Sequence, residues 1–204
     1  MDMGRIGATP GGGVGRLALT DLDKEARDLL VHWCEQAQCE IRVDRMGNIL
    51  ARRAGAEPTR APVLTGSHLD TQPLGGKFDG IYGVLAGLEV VRMLNDAGIR
   101  TRAPIEVVVW TDEEGVRFAS GTVASGVFAG IHSLEYGLSR VDSDGKTMGE
   151  ELERIGYAGS EPVGGYAVEA FFEAHIEQGP ILEAEGKTVG VVLGAQGQRC
   201  FKVT

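Results

Sequence analysis

Apolar residues fall along this chain in short runs, and the spacing inside each run predicts its backbone. Between Asp21 and Ala37, residues Ala26, Leu29, Leu30 and Trp33 recur with helical period, and Thr20 stands as an N-cap. Asp21 and Asp23 favour that helix start through its dipole. IRVDRMGNILARR reads as two short strands about Gly47, and AGAEPTRAP as a loop. Ala61 to Ser67 reads as a buried strand that ends at His68. A helix follows from about Ile81 to Asn95 and closes near Gly98. IEVVVW, Ile105 to Trp110, is the most β-rich run and predicts a central strand. Short helices among Gly and Ser occupy roughly 115 to 160. Ala170 to Ile176 predicts another strand, Pro180 to Glu185 a short helix, and Thr188 to Leu193 a further strand. Strands alternating with helices predict an α/β fold, a sheet layered with helices. The first 20 residues are Gly-rich and read as extended or mobile.

The 204 residues suffice for one domain with a real core. A formal net charge of −9 argues against a nucleic-acid-binding face, which needs clustered Lys and Arg. No apolar run reaches the ~18 residues of a membrane helix. MDMGRIGATPGGGVG holds no apolar signal core, so no secretion signal is read. Cys34, Cys39 and Cys200, odd in number and without paired spacing, read as free thiols of a reducing cytoplasm.

The chemistry sits where apolar runs end. His68 closes VLTGSH, Asp79 lies among glycines in GGKFDG, Glu113 and Glu114 follow VVVWTD, and His175 lies in FFEAHIEQG. Residues two apart in a strand share a side, so Asp70 is placed to support His68 from behind and fix its tautomer. Each position also has a plain alternative. His68 with Asp70 suits a surface turn, Asp79 a turn that caps the next helix, Glu113 and Glu114 a solvated acidic turn, and His175 a satisfied core histidine. His32 and His132 carry no assigned role. Taken together, two imidazoles and several carboxylates without a thiolate suit Zn, Mn, Co or Ni. Such a set can hold two divalent metal ions ~3.5–4 Å apart, as hydrolytic two-metal sites do.

The strings GSHLDTQPLGGKFDGIYGVLAGLEV, WTDEEGVRF, SGVFAG and EAHIEQGPILE resemble the zinc-dependent aminoacylase and carboxypeptidase superfamily. Within it they are similar to the amidase branch of N-carbamoyl-L-amino acid hydrolases, β-ureidopropionases and allantoate amidohydrolases. GATPGGGVGRLALTDLDKEARDL also looks like the start of that branch. The resemblance implies a three-layer catalytic domain with a mixed, mainly parallel sheet between helices. It implies hydrolysis of a carbamoyl (ureido) amide by a cytoplasmic enzyme that dimerises through a lid domain. His68 and His175 would be terminal ligands of one metal, Asp79 would bridge both ions, and Glu114 would bind the second. Glu113 would be the general base, Asp70 would orient His68, and Gln178 would face the small-molecule ureido substrate. Gln72 and Pro73 look more like carbamoyl amino acid hydrolases than allantoate enzymes, and His175 with IEQG disfavours a plain dipeptidase. Members of the branch are about twice as long. Their lid supplies a histidine, an asparagine and an arginine, and a returning segment the last histidine ligand. The expected division is therefore a Gly-rich segment at 1–20, an incomplete metal-binding domain at 21–198, and at 199–204 a strand leading toward the lid. FKVT ends inside that strand, so a partial polypeptide is expected, and a catalytically incomplete fragment that keeps the fold stands as the alternative of another class.

Overall fold

The computed structural model describes residues 2–195; Cys200 and the expected strand at 199–204 lie outside them. In chain order the elements are α1 (Asp21–Gln36), β1 (Glu40–Val43), β2 (Ile49–Arg53), β3 (Val63–His68), α2 (Ile81–Asp96) and β4 (Ile105–Trp110). Then come α3 (Val123–Phe128), α4 (Leu134–Leu138), α5 (Met148–Ile155), β5 (Ala170–Phe172) and α6 (Ile181–Ala184). The five strands form one sheet in the order β1-β2-β4-β3-β5, so the α/β class holds. The β1–β2 and β2–β4 pairs are antiparallel, and β3 runs parallel to both β4 and β5. A tight turn at Gly47 can only make an antiparallel pair, whereas the crossover through α2 returns the chain parallel to β3. Among the described residues the sheet is thus mixed, with β2 alone running against the other four strands.

Alternation along the strands divides the apolar residues between two faces. Ile49, Ala51, Val107 and Val109 pack with Ala26, Leu30 and Cys34 of α1 and with Val84, Leu88 and Val91 of α2. Leu50, Val108 and Trp110 face the other way and pack with Phe128. On that second face the fully buried Glu106 accepts from Arg42 and Arg52, 2.5 and 2.6 Å away, and from the Tyr166 hydroxyl at 3.1 Å. Three donors satisfy a carboxylate in the middle of a strand that hydropathy alone reads as core. Thr20 caps α1 through its hydroxyl, which accepts from Asp23 N. The buried stripe of α1 is Asp23, Ala26, Arg27, Leu30 and Cys34, while Leu29 and Trp33 are only partly covered. Its two charges pair with each other at 2.9 Å, and Arg27 also donates to Gly47 O and Thr111 Oγ1. Cys34 and Cys39 are buried free thiols, the first pushed up to about 12 by burial.

Three expectations need correction. Residues 2–20 are folded rather than extended or mobile: Met3, Ile6, Val14, Arg16, Ala18 and Leu19 are all buried. Val14 exchanges two backbone hydrogen bonds of 2.9 Å with Gly75. Gly15 is needed there because a Cβ would lie 2.6 Å from Pro73 O. The strand expected from Ala170 to Ile176 stops at Phe172, and Thr188 to Leu193 forms no strand. Val189, Val191, Val192 and Leu193 are exposed and pair with no described edge; β-branched residues favour a ladder but do not supply its partner.

Candidate metal centre

Three loop starts converge near the ends of β3 and β5. His68 is the last residue of β3, Asp79 precedes α2, and His175 follows β5 after two residues of coil. His68, Asp79 and His175 each bring one ligand atom to within 4.8 Å of the others. Both imidazoles have Nδ1 tied to a backbone carbonyl: His68 to Asp70 O at 2.8 Å, His175 to Ile176 O at 2.9 Å. This assigns the Nδ1–H tautomer to each ring and leaves both Nε2 lone pairs for the site. Asp79 Oδ1 is buried and accepts no hydrogen bond, although His175 Nε2 lies 3.1 Å away. A buried carboxylate oxygen without a donor is costly unless a cation takes that place. Two imidazoles and a carboxylate at 2.0–2.2 Å are an ordinary donor set for a divalent metal. The cluster therefore fits one such ion.

The glutamate pair is set by Asp70. Strand β3 ends at His68, so Asp70 does not share a strand face with it. Its carbonyl, not its carboxylate, holds the ring; the carboxylate is 3.8 Å from Nδ1. Instead Asp70 Oδ1 accepts from Glu113 N at 3.2 Å and Oδ2 from Glu114 N at 3.1 Å. The turn they cap starts at Asp112, whose φ is +52°. Glu113 Oε2 then lies 3.4 Å from His68 Nε2. Glu114, expected to bind a second ion, is not one of the three residues that converge on a single point. Gln72 Nε2 holds its Oε2 at 2.6 Å, while Oε1 is buried without a partner. Gln178, expected to face substrate, donates to Asp79 Oδ2 at 2.9 Å. Gln178 has a backbone φ of +55°.

Electrostatics follow from burial. Desolvation raises the pKa of Asp70 and that of Glu113, against the pull of His68. Burial works against the charged form of His68, yet Asp70 and Glu113 outweigh it and hold its pKa above the ordinary value. Burial, then the charge of Asp70, push Asp112 up to about 9. Gln72, Asp112 and Thr71 were missed as site residues. Their adjacency to His68 and Glu113 was the available signal, but spacing does not show which neighbours turn inward.

Residues 64–203 match the profile of peptidase family M20/M25/M40. Over 97% of its length the chain is 56% identical to an N-carbamoyl-L-amino-acid amidohydrolase of Rhizobium meliloti, covering 47% of that protein. It is 35% identical to a ureidoglycolate hydrolase of Arabidopsis thaliana, over 95% of its own length and 43% of that protein. A solved amidase of the hydantoinase/carbamoylase family from Burkholderia multivorans superposes with a TM-score of 0.91 at 68% identity, over 92% of this chain and 46% of that one. The chain thus spans about half the length of the curated relatives it matches. With more than half of its residues in that family match, the chain belongs to peptidase family M20/M25/M40.

Proposed function

We propose that the protein carrying this chain is a metal-dependent amidohydrolase that removes the carbamoyl group of N-carbamoyl-L-amino acids. The observation that carries the reading is the convergence of His68, Asp79 and His175, each with a free ligand atom, beside the raised carboxyl of Glu113. The names of relatives at 56% and 40% identity support carbamoyl amino acids, and the ureidoglycolate hydrolase shares the ureido group. No helix of the described residues is long and apolar enough to cross a membrane.

His68, Asp79 and His175 would hold the ion, and a divalent cation there supplies Lewis acidity toward the ureido carbonyl and the attacking water. Glu113 takes the proton of that water and returns it to the departing nitrogen. Burial raises its pKa above the ordinary glutamate value, which eases its holding the proton between the two halves of the transfer. Asp70 holds the Glu113 backbone in place through the attack. Water adds to the carbamoyl carbon and one C–N bond breaks to give the amino acid and carbamate; the carbamate then loses its remaining C–N bond, giving carbon dioxide and ammonia.

The test is ammonia release by the whole protein with Zn²⁺, Mn²⁺ or Co²⁺, comparing N-carbamoyl-L-amino acids with ureidoglycolate. Glu113→Gln should lower kcat by ~10²–10⁴-fold while Zn²⁺ still binds. Failure to hydrolyse any ureido compound, or full turnover in that variant, would sink the reading.

A further inference from the structure

The glycine-rich strap before α1 crosses the loop that leads away from His68, and Arg16 sits where they meet. Its side chain is fully buried. Nε donates to Leu69 O at 2.8 Å, and Nη1 to Met3 O and Ile6 O at 3.2 and 2.9 Å. Its backbone N donates to Thr71 Oγ1 at 2.8 Å, and Thr71 N donates back to Arg16 O at 2.8 Å. The guanidinium therefore grips the residue before Asp70, and the backbone grips the residue after it. Asp70 is tied to both halves of the site. Its carbonyl orients His68, and its carboxylate caps Glu113 and Glu114.

We propose that Arg16 is a positioning residue for the metal centre: by clamping residues 69 and 71 it fixes Asp70, and through Asp70 it sets the His68 ring and the Glu113–Glu114 turn together. The inference rests on the metal-site reading of His68, Asp79 and His175. A planar fork suits the task because its donors are held at fixed angles to one another. Lysine carries the same charge but places its donors on one flexible ammonium, so it cannot reproduce Nε on Leu69 and Nη1 on the strap at once. The effect should resemble the loss of a group that orients a metal-ligating histidine, which costs 10–100-fold in metal affinity or activity.

The experiment measures Zn²⁺ affinity of the whole protein by competition with a chromophoric chelator, and the visible spectrum of the Co²⁺ form. Arg16→Lys should weaken Zn²⁺ binding ~10–100-fold and alter the Co²⁺ spectrum. Thr71→Val removes the acceptor for the Arg16 backbone, along with the hydroxyl's own donation to Gln72 O and Val14 O at 2.8 and 3.3 Å; it should weaken Zn²⁺ in the same direction, and it carries the test if Arg16→Lys does not fold. Leu30→Ala, in the core under α1, separates positioning from general destabilisation: it should lower the melting temperature and leave Zn²⁺ affinity unchanged. Unaltered affinity and spectrum in a folded Arg16→Lys or Thr71→Val protein would overturn the clamp, as would a Zn²⁺ loss in Leu30→Ala equal to theirs. No Zn²⁺ binding by the unaltered protein would remove the metal-site reading itself and this inference with it.

Discussion

Replacing Gly80 by alanine should disable the site through a single methyl group. Gly80 caps α2 with φ +66° and ψ −51°, a backbone that residues with a Cβ rarely adopt. Holding such a conformation costs on the order of 1–3 kcal/mol. The added Cβ would also lie 2.4 Å from Cε1 and Nε2 of His68 and 2.5 Å from Cδ2. Unstrained carbon contacts lie at about 3.5–4.0 Å, so something must yield by about 1 Å. The ring cannot move freely, being 1% exposed and tied to Asp70 O. Nε2 is the atom the metal needs, so the displacement falls on the ligand itself. A misplacement of about 1 Å costs on the order of 10²-fold in turnover. The assay pairs kcat with Zn²⁺ affinity, and a melting curve shows how much of the change is stability. Gly76→Ala, in the same loop with open space around it, should be silent in all three. Wild-type Zn²⁺ affinity and turnover in a folded Gly80→Ala protein would refute the reasoning.

The Arg27–Asp23 pair should be costly to break. Arg27→Met leaves the fully buried Asp23 without its guanidinium, and a loss of ~3–5 kcal/mol is expected in denaturant unfolding; a change below ~1 kcal/mol would speak against an ionised pair. Asp44 should make stability depend on pH. Burial pushes its carboxyl up to about 6 against hydrogen bonds from Asn48 and Met46. The folded pKa lies above the unfolded ~3.9, so the folded state prefers the protonated form. That stabilisation is full below about pH 4 and is lost as pH rises through about 6, a swing of ~3 kcal/mol. Urea midpoints from pH 4 to 7 should show this component in the wild type and lack it in Asp44→Asn; an identical pH profile in both would contradict it. Thr147→Ala removes the capping box of α5, in which Thr147 and Glu150 exchange hydrogen bonds. A loss of ~1 kcal/mol by thermal unfolding is expected, and no loss would show the box to be ornamental.

Much of the fold was legible because its signals are local. The period of α1, the β-branched run of β4 and the hairpin about Gly47 each lie within a few residues. The N-cap at Thr20 was found at its place for the same reason. The ends of the chain were not legible in that way. GGGVG looked mobile, yet its glycines permit a close crossing with residues 73–75 that no window of sequence contains. Valines at 189, 191 and 192 looked like a strand, but pairing depends on a neighbour far along the chain.

The site divides along the same line. Sequence by itself determined which residue types stand after β3, β4 and β5: two imidazoles, an aspartate among glycines and a pair of glutamates. Those identities bound the chemistry to a hard or borderline cation and a carboxylate base, because side-chain donors are set by composition. Only the tertiary structure decided how each atom is used. It brought His68, Asp79 and His175 together, held Glu114 with Gln72, turned Gln178 onto Asp79 and made the carbonyl of Asp70 rather than its carboxylate the partner of His68. It also made Arg16, silent in the sequence, the meeting point of strap and loop. The reason is one of range. A residue's chemistry travels with it, whereas a hydrogen bond between positions 55 residues apart, such as Arg16 N to Thr71 Oγ1, exists only once the chain has closed around it.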